Sequence, residues 1–378
     1  MKVLIAAGGT AGHINPALAI ANEIMRNDPS SEIHFAGRKE GMEYALVTKE
    51  GYPFHHIEVN GIQRRISAEN IVRNVKAVGH LITAMPRAAQ IINEVKPDLV
   101  IGAGGYVSGP IVQTAAQRGI KTAIDEQNAF PGVTNKILAP RVDVVFAAMP
   151  DAVERLGVPD KTIVVGNPVR ASMFTQNRVE VRKALGIPEN TVVILSFGGS
   201  LGAQRINEVV ASLAEWEISS NAKTRHYHAT GSIEKSDFAA LAAEKHIDGS
   251  DKFIISEYID NMPEMLAAAD LVIARAGALT LAEIAAVGRA SILIPSPNVA
   301  ENHQYHNAMQ FEKAGAAKVI EEKDISGEKL IEIVKELLKT PEKLMMMGKC
   351  AMQLASPDSL KKIYKSLENL MNTPPKSK

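Results

Sequence analysis

The sequence predicts an α/β protein of two Rossmann-like, doubly wound parallel-sheet domains facing each other across a cleft. Three observations carry that prediction. One glycine-loop plan occurs twice: Val3-Leu4-Ile5-Ala6-Ala7-Gly8-Gly9-Thr10-Ala11-Gly12 and Val193-Ile194-Leu195-Ser196-Phe197-Gly198-Gly199-Ser200-Leu201-Gly202 each run from an apolar strand into Gly-Gly-(Thr/Ser)-x-Gly. After each loop the apolar residues recur at i, i+3, i+4, i+7, with Ala17, Ile20, Ala21, Ile24 in the first copy and Ile206, Val209, Val210, Leu213 in the second, the spacing of one helix face. Short apolar runs then alternate with helix-like stretches through both halves, the pattern of a parallel sheet covered on both sides.

Taken in order, the first copy reads strand, glycine turn, helix, with Asn15 as the expected N-cap and Pro16 as the first helical residue, where a missing N–H costs nothing. Ile33–Phe35, Leu99–Ile101, Thr122–Ile124, Val144–Ala147 and Ile163–Val165 are the further strands expected in the first half. Gly166-Asn167-Pro168 follows as a natural crossover. Val192–Leu195, His226–Ala229, Phe253–Ile255, Leu271–Ala274 and Ser291–Ile294 are the strands of the second half. From Glu328 the pattern is helical, with Leu330, Ile333, Val334, Leu337 and Leu338 on one face, and the tail from Thr373 to Lys378 is expected to be disordered. The expected division is 1–165, 166–345, and a helical segment 346–378 packing back on the first domain.

Bulk properties set limits. The 378 residues suffice for two domains with their own cores, and 46% hydrophobic with 22% charged residues is globular composition. With 42 basic residues against 42 acidic ones, nothing global points to nucleic acid. Cys350 is the only cysteine, so the chain can form no internal disulfide or Cys-rich metal site, which fits a reducing cytoplasm. The N-terminal run is too short for a signal-peptide core or a spanning helix, so the protein is expected to be soluble or peripheral.

Glycines at a strand-to-helix turn let the backbone approach a ligand, and the open N–H groups of the helix start attract phosphate. Packing alone also demands glycine at such turns; the repetition favours ligand binding. Neither loop is a Walker A sequence, and neither matches Gly-x-Gly-x-x-Gly in full, so ATP hydrolysis and ordinary NAD binding lose ground. Further polar residues gather where strands end at their C-terminal edge, the ligand-binding edge of open α/β sheets. They are Gly102 to Pro110, Asp125-Glu126-Gln127-Asn128, and Arg275 to Glu283.

Thr280 and Glu283 have capping-box spacing, so Glu283 either bonds back to its own helix start or accepts both hydroxyls of a ribose. His13 follows the first loop, where a neutral imidazole would take a proton from a substrate hydroxyl, although a lone His is more often a plain hydrogen-bonding residue. His303 and His306 lie beside Glu301 without a further ligand cluster, so no metal site is expected. No Asp-x-Asp occurs, the nearest aspartate pair being Asp248 and Asp251, so neutralising a diphosphate falls to helix N-termini and Arg170, with no metal cofactor. Between Arg64 and Gln90 stand Arg64, Arg65, Arg73, Lys76 and Arg87 against Glu69 alone. Ile71, Val75, Val78, Ile82 and Met85 form one helical stripe there, either core or the apolar face of a helix on an anionic membrane surface.

Together, Gly8-Gly9-Thr10-Ala11-Gly12-His13, Gly104 to Pro110, Glu126-Gln127-Asn128, Gly166-Asn167-Pro168-Val169-Arg170, Gly198 to Ala203 and Arg275 to Glu283 closely resemble the MurG family. Its members are bacterial transferases that move N-acetylglucosamine from UDP-GlcNAc to undecaprenyl-diphosphate-muramyl-pentapeptide, lipid I. The resemblance runs from the first strand to Ala317. It implies a GT-B fold and an inverting transfer that makes the β-1,4 linkage of lipid II at the cytoplasmic membrane face, with room for other cell-wall synthesis proteins as partners.

Carried over by position, the second half would hold UDP-GlcNAc. Ser200 and its loop would lie at the diphosphate, the Ile259 backbone at uracil, and Glu283 at ribose. Ala278, Leu279, Thr280, Leu281 and Ala282 would lie with Gln304 near the sugar, and Arg170 would line the donor pocket. Asn128 would reach the sugar from the first domain, where Thr10, Ala11 and Gly12 also belong to the donor set. Gly8, Gly9, Gly104, Gly105, Tyr106 and Ser108 would form the acceptor diphosphate loops. His13 is the leading base and Glu126 the second candidate. Two residues depart from the family pattern: Ala11 replaces a usual glycine, which narrows the approach to the acceptor diphosphate, and Asp125 replaces a usual histidine. Two other readings stay open at this point: a UDP-sugar 2-epimerase on the same fold, and a sugar-nucleotide binding module without catalysis.

Overall fold

The computed structural model describes residues 1–59, 84–299 and 302–374. It divides into two compact units, Met1–Val169 with Asp358–Lys378, and Arg170–Pro357. The first runs β1 (Lys2–Ala6), α1 (Ala11–Asn27), β2 (Glu32–Gly37), α2 (Met42–Lys49), β3 (Phe54–His56), helical residues 84–95 (α3), β4 (Leu99–Gly102), α4 (Ser108–Gln117), β5 (Lys121–Glu126), α5 (Val133–Leu138), β6 (Val144–Ala147), α6 (Asp151–Leu156) and β7 (Thr162–Val164). The second runs α7 (Ser172–Thr175), α8 (Arg178–Ala184), β8 (Val192–Phe197), α9 (Gln204–Ser219), β9 (Thr224–Ala229), α10 (Lys235–Glu244), β10 (Phe253–Ser256), α11 (Met262–Ala268), β11 (Leu271–Ala274), α12 (Ala278–Val287), β12 (Ala290–Leu293), α13 (His303–Lys313), β13 (Ala317–Val319), α14 (Gly327–Leu338) and α15 (Pro341–Gln353). The last helix, α16 (Ser359–Asn372), belongs to the first unit.

Each unit is built on one parallel sheet. The orders are β3-β2-β1-β4-β5-β6-β7 and β10-β9-β8-β11-β12-β13, with Ile5 opposite Phe35 and Ile101 in the first, and Ile194 opposite His226 and Leu271 in the second. Successive strand residues point to opposite faces. Leu4, Val100 and Ile124 therefore share one buried cluster with Ala88, Ile91 and Val112, while Val3, Ile5 and Ile101 pack with Ile20, Ile24, Ile363 and Leu367 on the other. In both units the chain reverses direction across the sheet beside the first strand of the unit, so the loops after β1 and β8 lie at the switch points where such sheets bind ligands.

Three expectations are corrected. α1 starts at Ala11 because the Thr10 carbonyl accepts the N–H groups of His13 (3.0 Å) and Ile14 (3.2 Å); Asn15 is not the N-cap, and Pro16 lies inside the helix. Strands β3 and β13 were not expected: each has three residues and forms a sheet edge. α15 packs against α12 and β12, so closely that a Cβ on Gly348 would lie 2.5 Å from the Gly288 carbonyl oxygen. Residues 346–353 thus belong to the second unit, and only α16 returns to the first, where Ser359 Oγ donates to the Gly166 carbonyl at 2.8 Å. Of the basic stripe, Ile71, Val75, Val78 and Ile82 fall outside the described residues; within them, Arg87 Nε donates to the His56 carbonyl at 2.9 Å. Among the described residues no helix is long and apolar enough to cross a membrane.

Candidate functional site

In the first unit, two loops at the end of the sheet are locked together by glycine. Gly104 and Gly105 have φ of +103° and +78°, a region that side chains other than glycine rarely adopt. A Cβ on Gly105 would lie 2.3 Å from the Gly8 carbonyl oxygen, and one on Gly104 would lie 2.5 Å from His13 Cδ2. Ser108, fully buried, accepts from the Gly104 N–H at 3.2 Å and lies 2.9 Å from the carbonyls of both Ala6 and Gly104, one of which takes its proton. Its hydroxyl is therefore spent on tying the loop to the end of β1 and is not presented to a ligand, whereas Tyr106 at the tip is 53% exposed. Ala11 is the first residue of α1, where a methyl group suits the helical backbone, so its departure from glycine costs no conformational freedom.

His13 lies in the first turn of α1, with Nδ1 3.2 Å from the Gly8 carbonyl oxygen. A carbonyl only accepts, so Nδ1 carries a proton, and in the neutral imidazole the lone pair then resides on Nε2. That tautomer is the one a general base needs. α1 begins with no side-chain cap from Thr10 and no acid in its own first turn, and the carboxylate nearest its start is that of Glu43, which accepts from Gly9 N at 3.5 Å.

At the end of β5, Asp125 and Glu126 play different parts. Glu126 is 2% exposed, and its carboxylate accepts from Asn128 N (2.9 Å), Asn128 Nδ2 (3.2 Å), Gly132 N (3.0 Å) and Asn135 Nδ2 (2.8 Å). These four donors commit both oxygens to folding the 127–135 segment. The geometry removes Glu126 as a base and makes it the group that places Asn128. Gln127 Nε2 donates to Asp125 Oδ2 at 2.7 Å and to the Ala103 carbonyl at 3.1 Å, joining this loop to the preceding one. Asp125 is fully buried with Oδ1 unpartnered; burial pushes its carboxyl up to about 7, the Gln127 bond opposing and the Glu126 charge adding to the rise.

The second unit repeats the loop construction. Gly199 and Gly202 have φ of +100° and +92°, and a Cβ on Gly202 would lie 2.3 Å from the Thr230 carbonyl oxygen. Ser232 N and Ile233 N donate to the carbonyls of Ser200 (3.3 Å) and Leu201 (3.2 Å), so the loops after β8 and β9 form one layer. α9 opens from that layer without a side-chain cap or an acid in its first turn, as α1 does.

Glu283 is not part of a capping box. α12 starts at Ala278 with Gly277 as N-cap, which puts Thr280 inside the first turn and Glu283 a full turn beyond it. Its Oε1 lies instead 3.7 Å from Arg170 Nη2. Burial pushes the Glu283 carboxyl up to about 7, with the Arg170 charge pulling it back. Leu279 and Leu281 turn their side chains into the core, whereas Thr280 and Ala282 are partly exposed. Gln304 Oε1 accepts from Ser296 N at 2.9 Å, which fixes it beside the loop after β12, and Ile259 is buried in the loop after β10. Arg275 is held by the Ile294 carbonyl and Glu322 and serves the framework. His303 and His306 lie on α13, Glu301 falls outside the described residues, and among these no group of three potential metal ligands occurs.

Sequence reasoning missed Glu43 and Asn135. Glu43, buried in the first turn of α2, accepts from Arg38 N at 3.0 Å and lies 2.8 Å from where a Gly8 Cβ would stand, so it backs the first glycine loop. The only signal was indirect: Gly37 and Gly41 flank it because a Cβ at either would strike its side chain.

The chain matches the glycosyltransferase family 28 N-terminal domain over residues 3–147 and the C-terminal domain of that family over residues 193–363. It is 42% identical over 370 residues to the UDP-N-acetylglucosamine--N-acetylmuramyl-(pentapeptide) pyrophosphoryl-undecaprenol N-acetylglucosamine transferase of Thermoanaerobacter sp. (strain X514), covering 98% of this chain and 100% of that one. Among solved structures, Acinetobacter baumannii MurG is similar with a TM-score of 0.71 and 28% identity, covering 97% of this chain and 99% of that one. The UDP-GlcNAc 2-epimerase of Neisseria meningitidis, solved with UDP-GlcNAc bound, is similar with a TM-score of 0.67 at 15% identity over 98% of this chain and 100% of that one; this likeness extends to the fold alone.

Proposed function

The chain belongs to glycosyltransferase family 28, and we propose that it transfers N-acetylglucosamine from UDP-GlcNAc to the 4-hydroxyl of the muramyl sugar of lipid I, yielding lipid II and UDP. The observation that carries this reading is 42% identity over the full length of a relative named for that transfer. Its two parallel-sheet units, each with a glycine loop opening into an uncapped helix, are the GT-B plan.

The donor is assigned to the second unit. The Ser200 loop and the N-terminus of α9 take the diphosphate, the Ile259 backbone takes uracil, and Glu283 takes the ribose hydroxyls. Arg170, whose Nε is buried without a partner, supplies a cation beside Glu283. The backbone of Ala278 to Ala282 and Gln304 meet the sugar, and Asn128 is assigned to the sugar as well. The acceptor diphosphate is assigned to the loops of Gly8, Gly9, Gly104 and Gly105.

In the reaction, His13 Nε2 takes the proton of the acceptor 4-hydroxyl as its oxygen attacks the anomeric carbon. The bond from that carbon to the UDP oxygen breaks, the configuration inverts, and the leaving diphosphate carries the electron pair away. The α9 dipole and Arg170 stabilise that charge, a scheme that calls on no metal ion. Because the undecaprenyl chain of lipid I resides in a membrane, the protein works at the cytoplasmic membrane surface.

Incubation with sugar-labelled UDP-GlcNAc and a short-chain lipid I analogue tests the reading. Labelled disaccharide-lipid is the expected product. Label recovered only as an isomerised UDP-sugar would show epimerisation, and unconsumed donor would show a binding module.

A further inference from the structure

The second unit contains a buried chain of polar side chains that no step above uses. It runs from Glu217 on α9 through His226 on β9, Ser196 on β8 and His228 on β9 to Asn207 on α9, and none of the five is more than 4% exposed. The links are short: Glu217 Oε2 to His226 Nδ1 2.8 Å, His226 Nε2 to Ser196 Oγ 2.7 Å, Ser196 Oγ to His228 Nδ1 2.8 Å, and His228 Nε2 to Asn207 Oδ1 3.1 Å. Asn207 Nδ2 then donates to the Thr230 carbonyl at 3.1 Å.

That terminal carbonyl sets the direction of the whole chain. It accepts only, so Asn207 must turn its amide N to Thr230 and its Oδ1 to His228. His228 Nε2 then carries a proton, and burial, with the His226 charge, pushes this imidazole down to about 3, so it is neutral and Nδ1 accepts from Ser196. The Ser196 oxygen in turn accepts from His226 Nε2, and one further proton lies in the bond between His226 Nδ1 and Glu217. Every donor along the path meets an acceptor, and the one buried atom of these five side chains without a partner, Glu217 Oε1, lies at the end away from Thr230.

The far end of the chain reaches the donor loop. The Thr230 carbonyl is the group that a Gly202 Cβ would strike, and the Gly202 amide nitrogen would lie 2.0 Å from a Cβ on Gly231. We propose that Asn207, His228, Ser196, His226 and Glu217 form a positioning relay that fixes the Thr230–Ile233 segment and, through it, the Ser200–Gly202 loop that receives the donor diphosphate. The relay rests on the reading that this loop binds the diphosphate. None of its members touches substrate.

The test measures binding of UDP and of uridine, which lacks the phosphates, to the full-length protein and to Asn207→Leu and Ser196→Ala. UDP affinity falls about tenfold in both variants, as for one lost buried hydrogen bond, while uridine affinity and the KM for acceptor stay within about twofold. UDP affinity that does not change, or UDP and uridine weakening together, overturns the relay. Should Asn207→Leu fail to fold, Ser196→Ala, which deletes one oxygen, decides by itself. Wild-type protein that binds UDP no tighter than uridine would instead remove the diphosphate reading on which the relay rests.

Discussion

Arg170 Nη2 stands 3.7 Å from Glu283 Oε1. The two are far apart in sequence, and the buried carboxyl they share is the one the sequence left divided between a helix cap and a ribose contact. With Glu283 a full turn beyond the α12 start, the cap is gone, and the ribose contact is the role we propose for it. Glu283→Ala should therefore weaken UDP binding by roughly 1–3 kcal/mol, the range for leaving a buried hydrogen-bonding group unpaired. Calorimetric titration with UDP measures it; an unchanged affinity would remove Glu283 from the donor site.

His13→Ala should lower kcat about 10²–10⁴-fold with little change in UDP affinity, because proton removal is felt mainly in the transition state. Gly104→Ala should reproduce part of that loss: its methyl would meet the imidazole at 2.5 Å and sit on a backbone with φ of +103°. Steady-state kinetics at saturating donor provide the comparison, and a His13→Ala loss below about tenfold would return the proton to water.

Asp125 gives the fold a pH dependence of known sign. Burial raises its carboxyl from 3.8 to about 7 in the folded protein. The folded state thus holds a proton that the unfolded chain releases, and this contribution is complete below pH 4 and lost as pH rises through about 7. Asp125→Asn, which mimics the protonated acid, should raise stability at pH 8 by about 4 kcal/mol and leave it nearly unchanged near pH 4. Thermal unfolding of both proteins at the two pH values checks this; an equal Tm at pH 8 would mean that the buried carboxyl is relieved by another route.

Membrane docking rests on charge in the sequence between Arg64 and Gln90. If that stretch meets anionic lipid, each exposed cation contributes about 1 kcal/mol, screened by salt. Arg73→Glu with Lys76→Glu should then release the protein from phosphatidylglycerol vesicles while activity on a soluble short-chain acceptor is kept. Unaltered vesicle sedimentation would assign the stripe to the core.

What the sequence made legible was periodic. The strands on either side of each glycine loop and the helices α1 and α9 follow from apolar spacing, because residues such as Ile20 and Val210 are buried by their own element's period. Position within an element was less legible. Pro16 suits a first helical residue so well that the true start at Ala11, set by the Thr10 carbonyl, gives no residue-type signal, and Thr280 with Glu283 has cap spacing wherever the helix begins. Roles created by folding were not legible at all. Glu126 looks like a base until Asn128, Gly132 and Asn135 take its lone pairs. Likewise, Ser196, His226 and His228 look like polar positions on strands until α9 supplies Asn207 and Glu217 as partners.

The central claim is an inverting transfer to the muramyl 4-hydroxyl, and the configuration of the product tests it most directly. NMR of the disaccharide formed from UDP-GlcNAc and a short-chain lipid I analogue should show a β-1,4 linkage, with one UDP released per disaccharide. An α linkage, or UDP released with free N-acetylglucosamine and no disaccharide, would contradict the account.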